Sequence, residues 1–364
     1  MLFCKSMVVT QSQLVVVKIG TNVITKDDGL LNKPVLRHIV EQVCALKKGG
    51  TNVILVSSGA MAAGRSLLTP SVKTGNVVKR QMLAAVGQAS LMHEYLDAFN
   101  GHDYLCAQVL TTKEDFRTRH HYLNMKNCFS ALLKDNVVPI VNENDVISVE
   151  ELMFTDNDEL AGLITSMANA DALVILTSVD GVYDGTPNEG GAVIPVIEPE
   201  STAWKNHIQS GTSQFGKGGM LTKCSIAQKL AITGIAVYIV NGRSKDIVLD
   251  VLKGKKIGTY FRPHKKASNV KRWIAHAEGM ERGKVVVNKC AVDILRSPET
   301  VSLLPVGIVN VEGEFEKGDI VQICQENGEK LGLGKAQYNA ERVRSLMGEK
   351  GQKPFIHYDF LFVT

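Results

Sequence analysis

Lysines, small polar residues and glycines recur in this chain just after short apolar runs, a pattern suited to holding phosphate. Lys18 is the only charge in the run Leu14-Val15-Val16-Val17-Lys18-Ile19, and Gly20-Thr21-Asn22 follows it. A lysine in a buried strand is costly unless paired, so the run predicts Lys18 pointing outward at the strand's carboxyl end. The alternative is an edge lysine whose stem is buried and whose head stays in water. Ser57-Ser58-Gly59-Ala60 follows a second run, Val53-Ile54-Leu55-Val56. Glycine there lets backbone N–H groups approach an anion, and a helix N-terminus adds a favourable dipole. A plain tight turn would use the same residues. Lys217-Gly218-Gly219-Met220-Leu221-Thr222-Lys223 is a glycine-rich approach to a helix with a lysine at each end. It fits a triphosphate tail, or else a solvated lysine face.

Two polar stretches could hold the other reactant. Asn142-Glu143-Asn144-Asp145 lies just past a run ending at Val141 and is expected to be a loop. Its groups could accept from an ammonium and donate to a carboxylate. Thr155-Asp156-Asn157-Asp158-Glu159 opens a helix. Asp156 with Glu159 three residues on is a capping-box arrangement, which leaves Asn157 and Asp158 unused. One near-motif is set aside. Gly211 to Gly218 resembles the loop G-x-x-x-x-G-K-[ST], but Gly218 stands where the Mg²⁺-ligating hydroxyl belongs. The preceding Thr202 to Ser210 is polar and is not expected to be a strand.

These residues need elements to position them. Apolar runs at Leu14 to Ile19, Val53 to Val56, Val137 to Val141, Ala172 to Leu176 and Ala236 to Val240 read as buried strands. Helical patterns lie between them at Pro34 to Lys48, Arg119 to Leu133, Glu159 to Ala168 and Leu221 to Thr233. The alternation predicts an α/β fold, a mainly parallel sheet sandwiched by helices, with its site at the strands' carboxyl ends. A polar linker follows near Arg262 to Asn269. Beyond it, short runs with glycine punctuation at Gly283 to Asn288, Gly307 to Glu312 and Gly318 to Cys324 predict a small β-barrel-like domain. The expected domains are residues 1–262 and 270–364.

The chain has 364 residues, 45% of them hydrophobic and 21% charged, a globular composition that excludes collagen-like and wholly disordered classes. No apolar run approaches the roughly 18 residues that a membrane-spanning helix needs. Met1 to Thr10 is too short and interrupted for a secretory core, so a cytoplasmic location is expected. The seven cysteines include no C-x-x-C pair, which favours reduced thiols over disulfides or a zinc site. Net charge is +4, spread as +2 before His264 and +2 from it onward. Neither part is a basic patch of the kind nucleic-acid binders show.

Taken together, Val16 to Thr21, Ser57 to Arg65, Gln81 to Gln88, Val138 to Asp145, Asp156 to Asp158 and Gly218 to Lys223 resemble the amino-acid kinase family, within it the branch that phosphorylates glutamate. The tail, with Lys271-Arg272-Trp273-Ile274 and Ser302 to Ile308, resembles the PUA domain that many of these kinases carry. The resemblance implies transfer of the ATP γ-phosphoryl group to the side-chain carboxylate of L-glutamate, the first step toward proline. A carboxylate is already ionised at neutral pH, so no general base is needed. Two anions must instead be brought in line and the transferring charge stabilised, by lysines, backbone N–H groups and Mg²⁺.

By that resemblance Lys18 and Lys223 hold the phosphates on either side of the transfer, and Asp158 pairs with and orients both. Gly20 and Gly59 offer backbone donors. Ser58, Asp145 and Asn157 hold glutamate, with Gly59, Ala60 and Asn142 beside it. Thr177, Ser178 and the stretch Lys217, Gly218, Gly219, Met220, Leu221, Thr222 and Lys223 hold ATP. No protein ligand to a metal is assigned. Proline as feedback inhibitor, a homo-oligomer, and a transient contact with glutamyl phosphate reductase are further implications; RNA binding by the PUA domain is left open. Met153, Thr155 and Ser178 depart from the family pattern, the first two beside the glutamate residues and the third on the adenine side. The competing readings are another carboxylate kinase, acting on aspartate or N-acetylglutamate, and an RNA-binding protein.

Overall fold

A computed structural model describes residues 13–69, 75–117, 119–148, 157–186, 190–208, 219–264, 269–275, 277, 279–297 and 301–363. The chain divides into two compact units, Met1–Lys266 and Ala267–Thr364.

The first unit carries eight strands: β1 (Leu14–Ile19), β2 (Asn52–Ser57), β3 (Cys106–Thr111), β4 (Val138–Glu143), β5 (Ala172–Thr177), β6 (Val196–Ile197), β7 (Ala236–Asn241) and β8 (Thr259–Phe261). Its helices are α1 (Thr21–Ile24), α2 (Lys33–Lys48), α3 (Ala60–Arg65), α4 (Asn76–Asn100), α5 (Glu114–Arg117), α6 (Arg119–Lys134), α7 (Asn157–Met167), α8 (Trp204–Ile208), α9 (Met220–Ile232) and α10 (Ile247–Leu252). The strands form one sheet in the order β3-β4-β2-β1-β5-β7-β8-β6, parallel except where β7 meets β8. The predicted strands and helices are all present.

The sheet's centre explains where its one lysine goes. β1 runs between β2 and β5, with Lys18 opposite Val56 on one side and Ile175 on the other. Side chains alternate along a strand, so Val15, Val17 and Ile19 share one face and Val16 and Lys18 the other. The first face is packed with Leu36, Ile39, Val40 and Val43 of α2 and Leu91, Tyr95 and Phe99 of α4. Each such side chain contributes roughly 1.5–3 kcal/mol when fully buried. Lys18 lies on the other face, where α7 packs on β1 and α9 packs on α7. It is therefore not an edge lysine reaching for water.

α2 starts where the sequence sets it: the Asn32 side chain accepts the Val35 N–H, a proline occupies the first turn, and Gly49 ends the helix. β4 runs further than expected. Asn142 and Glu143 belong to the strand, opposite Leu110 and Thr111 of β3, and both are buried. The polar loop read from the sequence begins only at Asn144, because the β3 edge continues the ladder for two more residues.

The second unit holds β9 (Gly283–Val287), β10 (Ile308–Gly313), β11 (Ile320–Gln325), β12 (Lys330–Lys335) and β13 (Leu361–Val363), with α11 (Asn269–Ala275), α12 (Lys289–Leu295) and α13 (Ala340–Leu346). Its order is β10-β9-β11-β12-β13, with β9 and β11 parallel and the other pairs antiparallel. Val285, Val287, Ile308, Val321, Ile323, Val343 and Phe355 form its core. The expected barrel-like domain is a mixed five-stranded sheet with β10 and β13 at its ends. No described helix in either unit is long and apolar enough to cross a membrane.

Candidate active site

The carboxyl ends of β1, β2, β4 and β5 bring the charged and polar candidates together. Asp158, the second residue of α7, is fully buried between two lysines. Lys18 Nζ lies 2.7 Å from its Oδ1 and Lys223 Nζ 2.8 Å from its Oδ2, with side-chain exposures of 2% and 10% for the two lysines. One carboxylate thus aligns two ammonium groups contributed by β1 and α9. Desolvating the trio is costly unless charge is well matched and hydrogen-bonded. Two ammonium groups held side by side at the strands' carboxyl ends are suited to answering the charge of a phosphate. Cys224, next to Lys223, is no nucleophile: burial pushes its thiol up to about 12.

The other side of the site is neutral. The Asn157 Nδ2 amide donates to Ser58 Oγ at 3.0 Å, to Asn142 Oδ1 at 3.0 Å and to the Ser57 carbonyl at 3.3 Å. Gly59 caps α3 with φ of +107°, a conformation that favours glycine, and a Cβ there would lie 2.8 Å from Ile24 Cδ1. Ala60 opens α3, and α3 presses on α4 closely enough that a Cβ on Gly87 would sit 1.8 Å from the Ala60 carbonyl oxygen. Asp145 stands half-buried in the turn after β4 and is not an exposed loop residue. Burial pushes its carboxyl above the ordinary range, and the Arg80 guanidinium pulls in the opposite direction.

The remaining candidates divide three ways. Thr177 is buried at the end of β5, while Ser178 is exposed. The Gly20 N–H is given to the Leu176 carbonyl at 3.1 Å, so this donor is already engaged within the protein. Gly219 precedes α9, Met220 and Thr222 are half-buried and Leu221 is exposed. Lys217, Gly218, Met153, Thr155 and Asp156 lie outside the described residues, and with them the near-match loop and the Asp156 half of the capping box. Glu159, the other half, pairs with Lys113 Nζ at 3.0 Å.

Three side chains to which the sequence reading gave no role support the neutral side. Gln81 Nε2 donates to the Val146 carbonyl at 2.7 Å, Gln88 Oε1 accepts from Asn142 Nδ2 at 3.0 Å, and Tyr95 bonds Ser57 Oγ at 2.7 Å. Ser57 gives its own proton to the Ser58 carbonyl, so Tyr95 is the donor. All three lie on α4 at intervals of seven, one stripe of a helix; that spacing was the available signal.

The profile of the Amino acid kinase family matches residues 13–241, and that of the PUA domain matches residues 283–355. The chain belongs to the amino acid kinase family. Among its relatives is the glutamate 5-kinase of Bacteroides thetaiotaomicron, 49% identical over 353 residues, covering 96% of this chain and 98% of that one. That of Chlorobaculum tepidum is 50% identical over 351 residues, covering 96% and 97%. The glutamate 5-kinase of Geobacter sulfurreducens is 36% identical over 349 residues, covering 95% and 93%. The family match spans every strand end of the candidate site, and the PUA match falls within the second unit.

Proposed function

We infer that the chain has glutamate 5-kinase activity: it transfers the γ-phosphoryl group of ATP to the side-chain carboxylate of L-glutamate, giving L-glutamyl 5-phosphate, the first step of proline biosynthesis. The observation that carries this is the carboxylate of Asp158 shared between Lys18 and Lys223 at the strands' carboxyl ends, in a chain whose relatives are glutamate 5-kinases.

The chemistry asks little of the protein beyond position and charge. A glutamate carboxylate oxygen attacks the γ-phosphorus, the bond from phosphorus to the ADP oxygen breaks, and no proton moves. Lys18 and Lys223 offset the charge on the transferring group and the leaving oxygens, and Asp158 keeps both ammonium groups in place. Ser58, Asn142, Asn157 and Asp145 form the acceptor side, with Gly59 and Ala60 closing it, and Asp145 answers the substrate ammonium. Thr177, Ser178 and the residues from Lys217 to Lys223 take the nucleotide. Catalysis belongs to residues 1–262, and residues 270–364 form the PUA domain.

Among the described residues no group of three or more His, Cys, Asp or Glu could hold a metal ion. With no protein ligand assigned to it, Mg²⁺ would accompany ATP on its phosphate oxygens. The family resemblance, rather than a contact in this chain, supports a cytoplasmic homo-oligomer, feedback inhibition by proline, and delivery of the acyl phosphate to glutamyl phosphate reductase.

Hydroxylamine traps an acyl phosphate as a hydroxamate. Wild-type protein with ATP should form it from L-glutamate and much less from L-aspartate or N-acetyl-L-glutamate. Hydroxamate from either of those alone would reassign the acceptor.

A further inference from the structure

The amides beside the acceptor have a fixed direction. Asn142 Oδ1 accepts the Glu143 backbone N–H at 2.9 Å, so its other amide atom, Nδ2, is the one that donates to Gln88 Oε1 at 3.0 Å. Asn157 Nδ2 donates to the Ser57 backbone carbonyl and to Asn142 Oδ1. A backbone N–H only donates and a carbonyl only accepts. Those two backbone groups therefore identify which end of each amide is oxygen. At the end of the relay stands the Oδ1 of half-buried Asn157, an acceptor to which no described protein group donates.

Gln88 anchors the far end. Asn142 is only 3% exposed. Without the Gln88 oxygen its Nδ2 would be stranded, and reorientation to find a partner would take the acceptor away from Asn157. Asn157 could then turn its amide and offer hydrogens where it now offers oxygen. Gln88 is held in line by its helix, with Gln81 and Tyr95 seven residues to either side bonded to the same wall.

We propose that Gln88 is a positioning residue for substrate selection: through Asn142 it makes Asn157 present an oxygen to the substrate ammonium, so the site prefers an α-amino acid to its deaminated analogue. This rests on the glutamate reading above. A dicarboxylate lacking the amine, glutarate, is the probe.

The test uses the full chain and the variants Gln88→Leu and Gln88→Glu. The readouts are glutamate KM, ATP KM, the inhibition constant of glutarate competing with glutamate, and a melting curve. Gln88→Leu should raise glutamate KM by about tenfold, with ATP KM and the glutarate constant within about twofold of wild type. Gln88→Glu still offers Asn142 an acceptor, so its glutamate KM should stay within about threefold. A glutarate constant that rises in step with glutamate KM would overturn the proposal, as would an unchanged Gln88→Leu or a Gln88→Glu as impaired as Gln88→Leu. A wild-type protein that forms no hydroxamate from glutamate would instead refute the underlying activity, whatever the variants do.

Discussion

Lys18, Asp158 and Lys223 meet through full charges, whereas Ser58, Asn142 and Asn157 meet through neutral amides and a hydroxyl. The charged trio comes from a central strand and two helices packed on one face of the sheet. The neutral group is tied to α4, whose Tyr95 sits in the core on the opposite face. On the proposed function, the difference follows from what each would hold. Phosphoryl oxygens carry dispersed negative charge and are answered by cations at short range. An amino acid carries both signs and must be told apart from close analogues, which calls for donors and acceptors of fixed direction.

The sharpest break in the charged half is Asp158→Asn. It keeps the shape but leaves two buried ammonium groups facing a neutral amide. Removing one partner of a buried pair costs roughly 3–5 kcal/mol, so the melting temperature should fall clearly. kcat should fall with it by at least about 10²-fold, because both lysines then lose the carboxylate that aligns them. A variant with wild-type melting and turnover would show that the trio is incidental.

Lys223→Ala separates charge from fold. One donor aimed at transition-state charge is worth about 10²–10³ in kcat. ATP KM should change far less, since the lysine serves the transition state more than the ground state. If kcat stays near wild type, Lys223 is a structural cation.

In the neutral half, Asp145→Asn keeps size while removing charge. A charged hydrogen bond to the substrate ammonium is worth about 1.5–3 kcal/mol, so glutamate KM should rise about ten- to a hundredfold with ATP KM little moved. Burial raises the Asp145 carboxyl above its ordinary range. A raised acid stabilises the fold most when protonated, and that contribution is lost as pH climbs from the ordinary carboxylate value through the raised one. The Asn variant lacks this loss. It should melt above wild type at neutral pH, with the gap closing in acid. Glutamate binding to wild type should weaken over the same descent, as Asp145 takes up a proton. A variant with unchanged glutamate KM and lower melting temperature would make Asp145 structural.

The smallest expected effect is that of Tyr95→Phe. It removes one buried hydrogen bond while Ser57 keeps the Ser58 carbonyl, a loss of about 1 kcal/mol in stability. Glutamate KM should rise a few-fold at most, and kcat at saturating substrates should hold. A kcat loss as large as that of Lys223→Ala would show that the two halves are not separable.

Much of the charged half was legible in the sequence because a lone charge in an apolar strand demands a partner. Lys18 and its strand could be read from six residues, and Asp158 stood out as the acid that capping left unused. What could not be read was depth. Lys18 was expected to point outward, and Asn142 and Glu143 were read as a loop, because a sequence does not say how far a neighbouring strand extends. β3 is an edge strand in which only Thr111 is buried and the rest are half-buried or exposed, so its apolar run is weak. Asp145 does lie past the strand as expected, but its half-burial in the turn could not be read for the same reason. Gln81 to Gln88 stood out only through the resemblance, and no role could be given to Gln81, Gln88 or Tyr95, because glutamine and tyrosine at intervals of seven resemble an ordinary amphipathic helix until their partners are seen.

Labelling the acceptor oxygens tests the central claim most directly. L-glutamate carrying ¹⁸O in its side-chain carboxylate, ATP and hydroxylamine are incubated with the wild-type protein, and the released phosphate is weighed by mass spectrometry. Attack by the carboxylate on the γ-phosphorus leaves one labelled oxygen on each phosphate, because hydroxylamine cleaves the acyl phosphate on its carbon side. Hydroxamate formation with one ¹⁸O per phosphate, lost together in Lys223→Ala, is the predicted result. Phosphate released without label would contradict it, since the γ-phosphoryl group would then have passed to water and not to the glutamate carboxylate.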